Sequence, residues 1–366
     1  MKKYVEFFTK VMISELFVVL LCFSYFVCKN TVDNPTFQSW VSTVGAAQIS
    51  FATEKKFLRW VDFTVPAKVL DQAYQYDVQT YEEEIHLDWI ALLAYAAAKT
   101  GGDFSRYQNK IMDNAVQQIL DGEMDENELT QPKSYGYYYE AYQGVLGGLV
   151  GEYEVEREDP QTKEKTLKFA YGLKGFLPIA KGYPFTEYDD FGVSRSYGYK
   201  RKHLGHDMMG QVGTPIIAVE SGYVEAIGWN QYGGWRLGIR SFDKKRYYYY
   251  AHLRKDVPFS KNLQEGSVVT AGDVIGYMGR TGYSLKENQN NIETSHLHFG
   301  LQIIFDESQK EGNNEIWISC YQLMKFLQKN QSPTRKDSEN NEHVRVYQMK
   351  DPLVEEYKGK QLLNVD

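Results

Sequence analysis

Cysteine is scarce in this chain, with three residues in 366: Cys22, Cys28 and Cys320. The first two sit inside an apolar N-terminal run and the third has no partner, so no disulfide framework is implied. The close cysteine spacing of a thiolate zinc cluster is absent too. Concentrated positive charge is also missing: 41 basic residues stand against 48 acidic ones, without a polybasic block. That balance argues against a dedicated nucleic-acid binder, which gathers positive charge on one face. The exit from the N-terminal run, Phe26-Val27-Cys28-Lys29-Asn30, lacks a small-x-small cleavage site. Neither Cys22 nor Cys28 follows the small residues that a lipoprotein signal requires.

The run itself extends from Val11 to Cys28, broken only by Ser14, Glu15 and Ser24, and it follows Lys2, Lys3 and Lys10. About 20 residues cross a bilayer and roughly 17 can, so residues 1–29 read as a cytoplasmic N-terminus and a transmembrane signal anchor. Basic residues ahead of the run place the bulk of the chain outside the cytoplasm. The expectation is a single-pass protein of the cell membrane, tied to it through one N-terminal helix. Secretion after signal cleavage is the alternative.

Residues 30–54 are polar and mixed and read as a stalk. Residues 55–175 read as a mainly helical domain. Asp62 to Tyr76 places Phe63, Val65, Val69, Leu70 and Ala73 on one stripe. Glu82 to Lys99 is the clearest helix, with Glu82, Glu83 and Glu84 at its positive end and Gly101-Gly102 as its stop. A third helix is expected from Phe104 to Leu120, while Tyr135 to Val150 is undecided. The role open to this region is that of spacer, regulator or contact with a protein partner.

From residue 176 the texture changes to short apolar runs punctuated by glycine. Pro215 to Gly228 reads as strand, turn, strand. Trp235–Arg240 and Arg246–Leu253 flank a hairpin turn, and Val268-Val269, Val274–Tyr277 and Leu297–Phe305 continue the series. The 29 tyrosines suit half-buried strands. The fold class is therefore α+β: anchor, helical domain, then an antiparallel β domain over 176–327. Residues 328–366 are polar and are expected as a flexible tail with a short docking element from Val344.

Five of the seven histidines fall between positions 203 and 298. In His203-Leu204-Gly205-His206-Asp207, strand alternation puts His203 and Asp207 on one face, and helical spacing also lets them chelate together. Gly205 leaves room at the backbone, and His206 points away. His296 and His298 share a face as well. A catalytic zinc keeps three protein ligands and an open position. His203, Asp207 and one of the pair fill that shell, and the other histidine is free for proton transfer. Tyr248, Tyr250 and His252 follow at a period of two and are expected to line one groove-facing side.

The ordered series resembles the lysostaphin/LytM-type zinc endopeptidases that cut peptidoglycan peptides. It runs through Phe191-Gly192-Val193-Ser194-Arg195, His203 to Asp207, Gly213 to Ala218, Gly222-Tyr223-Val224 and Tyr250-Ala251-His252-Leu253. Gly272 to Gly276, Thr281-Gly282 and His296-Leu297-His298-Phe299 complete it, over roughly residues 180–305. The resemblance implies one Zn2+ held by His203, Asp207 and His298, with His252 and His296 as the catalytic pair and peptidoglycan peptides as substrate. Tyr248 and Tyr250 are the candidate substrate contacts. A non-catalytic wall-binding or scaffold protein on the same fold is the rival, and a zinc peptidase acting on proteins is a third reading. Two departures stand out: Tyr283 to Ser295 lengthens the link between Thr-Gly and the H-x-H, and Gly300 stands where the family commonly has an acid.

Overall fold

The computed structural model describes residues 57–197, 199–339 and 341–363. The expected anchor and stalk lie outside the described residues, among which no helix is long and apolar enough to cross a membrane. Four helices come first: α1 Ala67–Thr80, α2 Trp89–Thr100, α3 Lys110–Leu120 and α4 Tyr135–Leu146. Pro66, fixed at φ −65°, delays α1 relative to its apolar stripe. Helix α2 also starts later than its pattern suggests. Asp88 caps it by accepting from Ala91 N at 2.6 Å, and Asp77 Oδ2 accepts from Trp89 N at 2.9 Å. Glu82, Glu83 and Glu84 are therefore exposed acids of a turn rather than a helix N-terminus. Gly101, at φ 66°, closes α2 in the left-handed conformation as expected.

The region up to 175 is not helical throughout. Strands β1 Val150–Glu158 and β2 Lys165–Leu173 form an antiparallel hairpin. Then come β3 Phe185–Glu187, β4 Ser194–Tyr197, β5 Tyr199–Lys202, β6 His206–Gly210 and β7 Pro215–Ile217. Strands β8 Gly222–Asn230, β9 Gly234–Ser241, β10 Arg246–Ala251, β11 Val268–Val269 and β12 Val274–Tyr277 follow. Next are β13 His296–Ile303, β14 Ile316–Trp317 and helix α5 Tyr321–Leu327. The main sheet has the order β11-β8-β9-β10-β13-β6-β3, with β14 also on β13. Its register sets Ala251 opposite His298, and His298 opposite Asp207.

Phe57 to Asp366 form one compact unit, so the structure has no gap at residue 175. Leu92, Leu93 and Tyr142 of the helices share one continuous core with Leu237, Phe299 and Leu301 of the sheet. A buried arginine joins the layers. Arg246 grips Glu220 with Nε to Oε2 at 2.7 Å and Nη2 to Oε1 at 3.0 Å. Its Nη1 donates to the carbonyls of Gln143 and Gly144 near the end of α4, at 3.2 and 3.1 Å. Removing one partner of such a pair strands the other charge, which costs about 3–5 kcal/mol. Arg246→Met is accordingly expected to lower stability by that amount, read as a shift in the urea midpoint with an unchanged slope.

The polar segment after Gln328 is ordered rather than a free tail. Strands β15 Thr334–Lys336 and β16 His343–Arg345 pair, β17 Met349–Lys350 adds to β1, and α6 runs Pro352–Leu363. Two of its polar side chains tie it to main chain. Ser332 Oγ donates to Gly272 O at 2.7 Å, and Arg345 Nη1 to Ala271 O at 2.6 Å.

Candidate active site

His203 and Asp207 do not share a strand. Residues 203–205 form the bend between β5 and β6, so strand alternation does not group them. The bend itself brings them together. His203 Nε2 lies 3.0 Å from Asp207 Oδ1 and 2.9 Å from His298 Nδ1, and His298 Nδ1 lies 2.9 Å from Asp207 Oδ1. Residues outside the cluster fix His203 and Asp207. The His203 Nδ1–H donates to the Asp190 carbonyl at 3.0 Å, which orients Nε2 towards the cluster. Arg195 Nη2 donates to Asp207 Oδ2 at 3.1 Å and to Asp190 Oδ2 at 2.6 Å.

This donor set suits a cation. Burial works against the Asp207 charge, yet hydrogen bonds from His203 and His298 outweigh it and hold the carboxyl well below its usual range. Burial alone would lower the pKa of His203, but its hydrogen bonds to Asp190 and Asp207 lift it to about 9. Positive charge is thus favoured where the three ligand atoms meet. Two nitrogens and one oxygen at 2.9–3.0 Å approach the roughly 3.3 Å donor spacing of a tetrahedral zinc site. They are the one group of metal-ligating side chains found among the described residues.

Gly205 makes the cluster sterically feasible. A Cβ there would come 2.5 Å from His298 Cε1 and 2.6 Å from its Nε2. Gly205→Ala should therefore displace the imidazole and weaken zinc affinity about 10–100-fold, the range seen when the support of a ligand is disturbed. Competition against a chromogenic chelator measures this.

Two further imidazoles flank the ligands. The His296 Nδ1–H donates to Thr294 O at 2.8 Å, and its Nε2 stands 3.7 Å from Asp207 Oδ1. The His252 Nδ1–H donates to Thr281 O at 2.8 Å, and its ring centroid lies 4.7 Å from that of His296. Burial, then repulsion from His296 and His298, holds His252 well below the ordinary histidine range. His252 has φ 59°, a left-handed conformation that costs a non-glycine residue about 1–3 kcal/mol. Its backbone N–H, donating to Gly233 O at 2.7 Å, and its bond to Thr281 O sustain that conformation.

This backbone reversal corrects the expected tyrosine face. Tyr250 pairs with Phe299 and Tyr248 with Leu301, so both point into the core and are fully buried. The Tyr248 hydroxyl donates to Glu220 Oε2 at 2.6 Å, and that of Tyr250 accepts from Val219 N at 3.1 Å. They cannot contact substrate. The alternate residues Tyr247 and Tyr249 line a groove of about 740 Å³ with His203, Asp207, His252, His296 and His298. His252 joins them because its positive φ turns the ring away from the core side. His206 is set aside as expected: it is buried, with Nε2 2.7 Å from Glu187 Oε2.

Both departures from the family pattern have structural consequences. The Tyr283–Ser295 loop forms groove wall, contributing Tyr283 and Ile292. It is pinned by Asn288, whose Oδ1 accepts from Trp235 Nε1 and Asp256 N, each at 2.9 Å. A Cβ at Gly300 would come 2.7 Å from Trp317 Cζ3, so the missing acid leaves room for an indole in the groove. Sequence reasoning did not assign Asp190, Arg195, Tyr247, Tyr249 or Trp317. Arg195 closes the first quoted motif and Asp190 immediately precedes it; the tyrosines needed only the opposite phase of the same alternation. Trp317 carried no signal.

Residues 201–312 match the profile of Peptidase family M23. The L-Ala–D-Glu endopeptidase of Bacillus subtilis is 37% identical over 125 residues, covering 34% of this chain and 36% of that protein. Lysostaphin of Staphylococcus simulans is 34% identical over 120 residues, covering 32% and 20%. The chain thus spans about a third or less of the length of these curated relatives. Among solved structures, a LytM-type protein of Ruminococcus gnavus superposes with a TM-score of 0.48 at 22% identity, covering 72% of this chain and 88% of that one. The catalytic domain of lysostaphin from S. simulans gives 0.30 at 28% identity, covering 38% and 92%.

Proposed function

We infer that the M23 peptidase domain of lysostaphin/LytM type carried at residues 201–312 makes this protein a zinc endopeptidase that hydrolyses peptide bonds of bacterial peptidoglycan. One relative named above is an L-Ala–D-Glu endopeptidase and another is lysostaphin, and the resemblance to lysostaphin/LytM-type enzymes implies zinc and peptidoglycan peptides. The observation that carries the reading is the convergence of His203 Nε2, Asp207 Oδ1 and His298 Nδ1 within 3.0 Å, beside two imidazoles in one groove. All five positions hold side chains able to do their part, which disfavours a scaffold that has lost its chemistry.

His203, Asp207 and His298 would hold the ion, with Asp190 and Arg195 fixing the orientation of His203 and Asp207. Bound zinc supplies Lewis acidity, lowering the pKa of water towards 7 and polarising the scissile carbonyl. His296, whose Nδ1–H is committed to Thr294 O, presents Nε2 to take the proton from the attacking water. The bond between carbonyl carbon and amide nitrogen breaks, and the nitrogen needs a proton to depart as an amine. The proton that His296 takes from the water is the one that nitrogen receives. His252, held weakly basic by burial with its Nδ1–H committed to Thr281 O, would accept it at Nε2 from the neighbouring His296 and release it readily there.

The test is to incubate purified chain with peptidoglycan sacculi, with and without chelator, and to identify the fragments by mass spectrometry. New amino termini that disappear on chelation and return with zinc support the reading. New reducing sugar ends, or no release, refute it. For the apolar run Val11–Cys28 we further propose an uncleaved anchor that keeps the domain beside the wall. Mass spectrometry of membrane-extracted protein checks it, and a mature N-terminus beyond Lys29 would rule it out.

A further inference from the structure

The charges lining the groove divide into those already paired and those with no ion-pair partner. Arg195 is spent on Asp190 and Asp207. Lys310 Nζ pairs with Glu225 at 3.0 Å, and Glu315 Oε2 accepts from Trp317 Nε1 at 2.6 Å. Lys202 and Glu311, both exposed, also line it without an ion-pair partner among the described residues; Arg201 and Arg236 are the partly buried charges that likewise have no carboxylate partner there.

Their positions are defined. The Arg201 guanidinium lies over the Tyr232 and Tyr283 rings, at 5.1 and 5.4 Å from their centroids. Its Nη2 donates to the Tyr283 hydroxyl at 3.0 Å, while Nη1 is covered and has no acceptor. The Tyr283 ring is in turn 6.0 Å from that of His252. Arg236 stands on the groove face of β9, opposite Gly228. Extending the Tyr250–Leu237 register by one residue brings it level with Ala251, which faces His298. Two strand spacings make that about 10 Å from a metal ligand. The floor between them is tyrosine laid over small residues: the Tyr247 ring covers Gly238, and the Tyr249 hydroxyl sits over Gly233 beside Ala251. Burial pushes the Tyr249 phenol above its ordinary value, and Asn230, Arg236 and Arg201 offset only part of that rise; its ring is 5.9 Å from that of His298.

An unpaired guanidinium in a groove is a receptor for a planar anion, because its donors match the two oxygens of a carboxylate. We propose that Arg201 and Arg236 are specificity-determining residues that bind a free carboxylate on the substrate peptide, carried by an acidic residue within about two positions of the scissile bond. This rests on the peptidase reading and narrows it: peptides with an acidic residue beside the cut are preferred over all-neutral ones such as oligoglycine. An acceptor brought in by substrate would also satisfy the orphaned Nη1, once the partly exposed Tyr283 ring shifts. The chain as a whole is acidic, with a net charge of −7, so unpaired cations here are a local feature rather than a consequence of composition.

The experiment uses the full zinc-loaded chain and two stem peptides that differ only in one glutamyl group, carboxylate in one and carboxamide in the other. A charge-assisted hydrogen bond implies that kcat/KM favours the acid by about 10–100-fold. The double variant Arg201→Gln, Arg236→Gln should bring that ratio close to one, with Arg201→Lys retaining part of it. A wild-type ratio of one or less, or an undiminished ratio in the double variant, overturns the proposal. Calorimetric binding of both peptides to the His296→Ala chain separates the two readings. Tighter binding of the acid with no cleavage by wild type would sink the hydrolase reading and leave the carboxylate site standing. Equal binding, or none, would refute the site even if both peptides are cut.

Discussion

His298→Ala is expected to abolish both stoichiometric zinc and hydrolysis of peptidoglycan. In the proposed site the ring would supply one of three ligand atoms, and its Nδ1 lies 2.9 Å from each of the other two. Two protein donors do not hold zinc at the concentrations that three do, and without the ion nothing in the groove brings water to hydroxide near neutral pH. Dialysed protein analysed by elemental mass spectrometry should fall from one zinc per chain to background, while turnover drops below detection. The ring lies on a groove face rather than in the apolar core, so the melting profile of the metal-free protein should stay close to that of chelated wild type. A variant that still carries one zinc per chain would show that His298 is not a ligand.

His296→Ala separates chemistry from binding. It leaves the three ligand atoms untouched and removes the Nε2 that stands 3.7 Å from Asp207 Oδ1. Loss of a positioned general base costs about 10²–10⁴-fold in rate, so kcat should fall by that factor with zinc content unchanged. The two variants form a crossed pair: one loses metal and rate, the other rate alone. Should His296→Ala lose zinc as well as rate, His296 would be a ligand rather than the base. Full retention of wall-cleaving activity would remove His296 from the mechanism.

Much of the site was legible before any coordinates, because its chemistry needs rare residue types. Seven histidines are few in 366 residues, and the concentration of five of them with one aspartate in ordered motifs singled out His203, Asp207, His252, His296 and His298. Those five residues converge. The antiparallel order of the second half was equally legible from short apolar runs separated by turns. Less accessible were features in which one backbone angle or one distant segment decides. Tyr248 and Tyr250 were placed on the groove side because alternation was carried through to His252, and φ 59° at that residue breaks it. Glu82 to Glu84 were placed on a helix that the Asp88 cap begins later.

The sequence by itself determined the inventory: the ligand types, the spare histidines, the family series and the absence of any disulfide or thiolate scaffold. Those follow from composition and spacing, which folding cannot alter. Only the tertiary structure decided the assembly. It made the His203–Gly205 bend, rather than a strand, the device that joins His203 to Asp207. It fused helices and sheet into one core locked by Arg246 and folded the polar C-terminal segment onto it. It also filled the space over Gly300 with Trp317 and left Arg201 and Arg236 without a carboxylate partner in the groove that holds His252 and His296. Each of these depends on contacts between residues far apart in the chain, and local pattern carries no record of them.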